Sequence, residues 1–335
     1  MSDPKPSNSW SELRTLGCAL ALATLAGVGG AAAQTYPARP VTMIVPLAPG
    51  GSTDVIGRIM AEAMRPVLGQ PVIVDNTAGA GGTIGVGRLA RATPDGYTFG
   101  IGQWGTNVAN GAVYNLPFDL LKDFEPVALI ATQPFLVVSR KTMPANNLKE
   151  LIAWLKANSS KATQGNSGIG SPSHVGGVFF QNAIGVRFQL VPYRSAGLSM
   201  QGLVAGDIDV NLDTPAISLP QLQSGNIKAY AVTAKDRLKT APEIPTTDEA
   251  GLPGFHFSFW HAFWAPKGTP KEAVARLNDA VVKSLADPAV RKRLIDLSQD
   301  IFPREQLTPE ALGAFQKAEI DRWWPIIRAA GIKAE

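Results

Sequence analysis

The sequence predicts an α/β protein of two domains, each a mainly parallel sheet flanked by helices. Short apolar runs rich in β-branched residues alternate with segments whose apolar residues recur at helical spacing. Two of these strand–helix pairs are joined by turns dense in glycine and serine. The 335 residues are enough for two domains of ordinary size.

The first unit sets the pattern. Residues 41–47 form an apolar run that reads as a buried strand. Val55, Ile56, Ile59, Met60, Ala63, Met64 and Val67 then repeat at helical spacing. Between them lie Leu47, Ala48, Pro49, Gly50, Gly51, Ser52, Thr53 and Asp54. The glycines let backbone N–H groups turn toward a ligand, and Ser52 or Thr53 is a natural N-cap. A helix start of this kind attracts anions, because its first N–H groups lack internal partners and the helix dipole favours negative charge. No Gly-Lys-Ser/Thr follows, so the turn is not a P-loop, and a carboxylate suits it better than a nucleotide.

Residues 1–33 read as an export leader. Lys5 and Arg14 are basic, residues 16–26 are apolar, and Ala31, Ala32 and Ala33 precede a cleavage point before Gln34. Leu16-Gly17-Cys18 faintly resembles a lipoprotein box, but most of the apolar stretch follows Cys18 rather than preceding it. Cys18 is the single cysteine, so the mature chain has no disulfide and relies on its core. Within the leader Lys5 and Arg14 are balanced by Asp3 and Glu12, leaving the net charge at +4. No basic run interleaves with aromatic residues, and nucleic acid is not an expected partner.

Along the chain, residues 71–76 form the second strand and lead into AGAGGTIGVG and a short helix through Arg91. A dinucleotide fingerprint fails here: Gly79 and Gly81 are correctly spaced, but Ile84 holds the third position. Residues 97–102 form the next strand, and Gln103, Trp104, Gly105, Thr106 and Asn107 a strand-end loop. Residues 128–139 contain a strand and 148–158 a helix. Then Ser167, Gly168, Gly170, Ser171, Ser173 and His174 repeat the opening logic of strand, glycine–serine turn and helix start. Two facing helix starts would hold two carboxylates of one ligand. A short strand ends at Tyr193-Arg194, a helix covers 198–205, and a strand over 208–212 ends in Asp213, Thr214 and Pro215. Residues 227–233 form a strand crossing back to the first domain. A proline-rich loop (242–254), an aromatic strand (255–264) and helices over 270–286, 287–293 and 308–330 complete the chain.

The stretches VPLAPGGSTDVIGR, VDNTAGAGGTIG, ATPDGYTFGIG, SGIGSPSH, VPYRSAG, LVAGDIDVNLDTPA and WAPKGTP resemble, in this order, the substrate-binding receptors of tripartite tricarboxylate transporters (the TctC or Bug receptors). The resemblance runs from about Tyr36 to Ile332. It implies a periplasmic Venus-flytrap protein that is a monomer, captures a carboxylate-bearing solute between two domains and presents it to a membrane permease. The domains would be 34–134 with 232–335, and 135–231. Carried over, the residues from Leu47 to Asp54 would hold one carboxylate, Ser167 to His174 would contribute from the other domain, and Tyr193, Asp213 and Thr214 would line the cleft. A sensor that docks on a signalling partner would share this sequence.

Departures bear on specificity. Gly105-Thr106-Asn107-Val108 and Asn110-Gly111 stand where the family commonly shows Ser-Thr-His-Ala followed by Asn-Pro, and His261 and Phe263 flank Ala262 where small residues are usual. Trp104 is bulky for a loop facing a small aliphatic acid: it either stacks on an aromatic ligand or packs a domain wall. The ligand is a dicarboxylate or an aromatic carboxylate. No enzyme is expected. Ser173 and His174 would be needed as a hydrolytic pair, yet no Gly-x-Ser-x-Gly elbow accompanies them. His256 and His261 fall on opposite faces of a strand, so no metal is expected, nor a cofactor.

Overall fold

The computed structural model describes residues 1–2 and 36–333, so the expected leader, beyond its first two residues, lies outside the described residues. Arg39–Glu335 form one compact unit holding two sheets. In the first, β1 (Val41–Val45) lies between β2 (Val72–Asn76) and β3 (Thr98–Gln103), parallel to both. Val41, Met43, Ile44 and Val45 are buried, as a strand covered on both faces requires. Beyond β3 lies β10 (Ser258–Pro266), antiparallel to it, then β4 (Phe124–Pro134) and the short edge strand β11 (Asp300–Ile301).

The second sheet runs in the order β7 (Gln189–Pro192), β6 (Thr163–Asn166), β8 (Val210–Asp213), β5 (Leu136–Arg140) and β9 (Ile227–Val232). Its strands β7, β6 and β8 are parallel, while β5 is antiparallel to both β8 and β9. Each sheet therefore keeps a parallel group of three, with one reversed strand, β10 or β5, beside it.

Helices form where apolar spacing and caps agree. Helix α1 (Ser52–Leu68) buries Ile56, Ile59, Met60 and Met64, and ends on Gly69 at a left-handed φ of 73°. Helix α2 (Thr83–Ala90) follows β2, and α3 (Asn110–Val113) is a short continuation of a π-helical turn over Gly105–Ala109. At α4 (Leu148–Ala157), Asn147 caps the Glu150 N–H while Glu150 reaches back to the Asn146 N–H. Helices α5 (Pro172–Ile184), α6 (Ala196–Ala205) and α7 (Pro215–Gln223) pack on the second sheet. The chain closes with α8 (Lys271–Ala286), α9 (Pro288–Asp296) and α10 (Pro309–Ala329).

Two expectations are refined. Residues 128–139 hold not one strand but the end of β4 and most of β5, which separate at Phe135 and enter different sheets. The strand-end loop at Trp104–Asn107 is helical. Apolar runs cannot reveal where a chain leaves one sheet for another, because both halves look buried.

Where the sheets meet, Thr233 ties the crossing segments together. Its backbone N–H donates to Phe135 O at 2.9 Å, and Phe257 N–H donates to Thr233 O at 3.0 Å. Its hydroxyl accepts from Phe135 N–H at 2.9 Å and has two carbonyls, Phe135 O and Phe257 O, within reach of its single proton. Around this node one apolar cluster joins Ile44, Leu129 and Trp264 of the first sheet to Val137, Val210 and Leu212 of the second. Thr233→Val keeps the shape but strands a buried N–H, so it should cost about 1–3 kcal/mol of stability in urea denaturation. An unchanged midpoint and slope would show that the hydroxyl contributes nothing.

Candidate functional site

The turn between β1 and α1 begins as β1 delivers the chain to Leu47 and ends where Gly51, in extended conformation, precedes the helix. Neither Ser52 nor Thr53 is the N-cap: Gly51 holds that position, and no side chain caps the helix. The first helical hydrogen bond runs from Val55 N–H to Gly51 O at 3.0 Å, so the N–H groups before it lie outside the helical ladder. Ala48, Pro49, Gly50, Gly51 and Ser52 are exposed, whereas Thr53 and Asp54 are buried.

Asp54 does not face a ligand as a free charge. Its carboxylate accepts from Gly50 N–H (2.9 Å), Arg58 Nε (3.0 and 3.1 Å) and Asn76 Nδ2 (2.9 Å). Asn76 Nδ2 also donates to Leu47 O at 3.1 Å. Burial pushes the Asp54 carboxyl up, but Arg58, Gly50 N–H and Asn76 together hold it below the usual carboxylate range. The turn is thus pinned from beneath by an ionised group whose charge is already matched.

Two further segments converge on it. A Cβ on Gly82 (φ +94°) would lie 2.6 Å from Thr106 Cγ2 and 3.2 Å from Pro46 O, so only glycine allows this approach. Asn110 Nδ2 donates to Gly81 O at 2.9 Å. From the other sheet, a Cβ on Gly170 would stand 3.1 Å from Val113 Cγ1, so the glycine–serine turn before α5 abuts the end of α3.

That second turn is built differently. Ser171 caps α5 by accepting from His174 N–H at 3.2 Å. Ser173 Oγ accepts from Ser167 N–H and contacts Ser167 Oγ, both at 2.9 Å, with Ser171 Oγ at 3.2 Å. Gly168 N–H donates to Asn166 Oδ1, and Gly170 N–H to His174 Nδ1, each at 3.0 Å. Burial lowers the pKa of His174; with Nδ1 accepting, its proton resides on Nε2, and no serine bonds to Nδ1. The turn therefore presents hydroxyls rather than bare N–H groups. At the end of β8, Asp213 is 3% exposed. Its Oδ1 accepts from Thr214 N–H at 2.7 Å, Oδ2 has no partner, and burial pushes the carboxyl up to about 7.

Shape alone does not single out this region. Surface grooves of about 930 and 860 Å³ lie along Tyr114, Phe118 and Trp324, and along Pro126, Val274 and Asn278, and contain no residue of either turn.

The sequence matches, over residues 56–332, the family model described as the tripartite tricarboxylate transporter family receptor. The chain belongs to this family. The receptor has the two-domain α/β fold of periplasmic binding proteins. It is 40% identical to the periplasmic binding protein BugD, the match covering 89% of this chain and 100% of that one at a TM-score of 0.77. MatC from Rhodopseudomonas palustris, solved with bound malate, is 37% identical over 87% of this chain and 100% of its own, with a TM-score of 0.77. R. palustris Rpa4515, solved with adipate, is 32% identical over 89% and 100%, with a TM-score of 0.79.

In the receptor, Trp104 is fully buried, with Phe257 and Trp323 packed edge-on at 5.5 and 5.4 Å. This corrects the stacking alternative: the indole fills the wall between Phe257, just before β10, and Trp323 of α10, and has no exposed face. Thr106 and Asn107 are also fully buried, and their side chains bond to each other at 2.7 Å. They shape the loop from behind. Tyr193 leans on α6, where a Cβ on Gly202 would lie 2.4 Å from its hydroxyl, and Thr214 starts α7 without a side-chain cap bond. Sequence reasoning passed over Arg58 and Asn76, the partners of Asp54. Arg58 carried a signal in its i,i+4 spacing from Asp54; Asn76, on another strand, carried none. Among the described residues, no cluster of three His, Cys, Asp or Glu could hold a metal, and no helix is long and apolar enough to cross a membrane.

Proposed function

We propose that the protein is a periplasmic solute-binding receptor that captures a carboxylate-bearing small molecule between its two sheets and delivers it to the permease of a tripartite tricarboxylate-type transporter. Its lobes would be residues 34–134 with 232–335, and 135–231, released from the leader near Ala33 and Gln34 and acting as a monomer. The observation that carries this reading is the uncapped start of α1 beside Gly50 and Gly51, with the neighbouring Asp54 charge drawn onto Arg58 and Asn76. A carboxylate seated there meets N–H donors and a positive dipole end without repulsion from an unpaired acid. The serine hydroxyls of the second turn would take the ligand's other end, and closure would exclude water and strengthen both sets of bonds. Malate in MatC and adipate in Rpa4515 support a dicarboxylate over an aromatic acid, as does the burial of Trp104.

The test is a thermal-shift panel of malate, succinate, adipate, citrate, benzoate and terephthalate, each beside its neutral amide. A ligand at a hundredfold excess over its Kd adds about 2.7 kcal/mol to stability, a clear rise in Tm. Aliphatic diacids should shift the protein and their amides should not. Equal shifts from acid and amide, or from no acid at all, would overturn the carboxylate reading.

A further inference from the structure

His261 sits mid-strand in β10, opposite Gln103 of β3 and Ala131 of β4, and is 0% exposed. Its Nε2 lies 3.2 Å from Thr53 Oγ1, its Nδ1 has no partner, and the Phe259 ring packs on it at 5.2 Å. A buried imidazole with one satisfied nitrogen is a poor choice for packing alone, since an apolar residue of similar shape would leave nothing unpaired. Burial pushes its pKa down to about 3, so the ring is neutral and carries one N–H.

The two neutral forms differ in what they leave to Thr53. With the proton on Nδ1, an N–H is orphaned in the core and Thr53 must spend its own proton on Nε2. With the proton on Nε2, the ring donates to Thr53 Oγ1, the unpaired atom is an acceptor, and the Thr53 hydroxyl keeps its proton for another partner. Orphaned buried N–H groups are the rarer of the two. Thr53 is the second residue of α1 on the uncapped turn, where a retained hydroxyl proton adds a donor to the bare N–H groups.

We propose that His261 is a positioning residue for the carboxylate seat: as the Nε2–H form it fixes the Thr53 oxygen and turns the hydroxyl into a donor for an anionic ligand. This rests on the reading of the residues from Gly50 to Asp54 as that seat.

Ring-¹⁵N-histidine spectra of the ligand-free protein, with the His261 signals identified by their loss in His261→Gln, should show the Nε2–H form; the Nδ1–H form would overturn the proposal. Malate and adipate titrations of Thr53→Val, His261→Phe, His261→Gln and the Thr53→Val/His261→Phe double variant complete the test. Thr53→Val and His261→Phe should each weaken binding about tenfold, the loss expected for one hydrogen bond to a charged group. The double variant should be no weaker than Thr53→Val, because His261 acts only through the Thr53 hydroxyl, which that variant already lacks. Glutamine, whose amide can also donate, should recover most of the affinity. The apo Tm of His261→Phe should not fall, which separates this role from a structural one. Normal binding by Thr53→Val would overturn the seat itself. Weak binding by Thr53→Val beside normal binding by His261→Phe would overturn the role of His261 alone.

Discussion

Asp54→Ala will both loosen the protein and weaken its hold on acids. The substitution removes the acceptor shared by Gly50 N–H, Asn76 Nδ2 and Arg58 Nε. Breaking a fully buried ion pair from one side costs about 3–5 kcal/mol. Arg58 is half exposed, with 52% of its side chain accessible, and re-solvates when its partner leaves, so that figure must be discounted. About 2–4 kcal/mol in urea denaturation is the expected loss. Ligand affinity should fall by more than tenfold, because the Gly50 N–H and the Leu47 carbonyl lose the network that sets the turn. Asp54→Asn, which keeps one oxygen for Gly50 N–H but loses the charge facing Arg58, should fall between wild type and alanine in both measurements. Unchanged calorimetric affinity in Asp54→Ala would sink the assignment of this turn.

Asp213→Asn will act in the opposite sense, stabilising the protein at neutral and alkaline pH. The ordinary aspartate carboxyl titrates near 3.9, while burial raises the folded-state value of Asp213 to about 7. Between these values the unfolded chain gives up its proton and the folded one keeps it, so stability falls as pH rises from about 4 to about 7. Below pH 4 both states are protonated and the penalty vanishes; above 7 it is complete. Three pH units at 1.36 kcal/mol each bound the effect at about 4 kcal/mol. The asparagine variant carries no such penalty, so its advantage in denaturant midpoint should be largest at pH 8 and close toward pH 4. An advantage that is absent at pH 8, or equal at both ends, would show that Asp213 is paired in solution.

Much of this was legible from local chemistry. The β1–turn–α1 unit announced itself through β-branched residues, glycines and a repeat of apolar positions, and the turn before α5 through its serines. The capping pattern at Asn147 and Glu150 was equally local. What escaped was long-range. Thr53 meets His261 across 208 positions, and Asn76 meets Asp54 across 22; spacing rules describe one element at a time and cannot pair residues on different ones. Trp104 was left open between two roles for a related reason. An aromatic residue beside a glycine loop fits a ligand platform and a wall equally well, and only the positions of Phe257 and Trp323 decide between them. Gly51, not a hydroxyl residue, capping α1 was also unreadable, because several residues in that run satisfy the same preference.

The apolar cluster that runs through both sheets has a thermodynamic corollary. With Ile44 and Trp264 packed into the same buried group as Val137 and Leu212, neither half can lose its interior while the other keeps a complete one. This shared core predicts one calorimetric unfolding transition for the two sheets rather than two. A change at Asp54, in one sheet's turn, and a change at Asp213, in the other's, should then be read on one common transition.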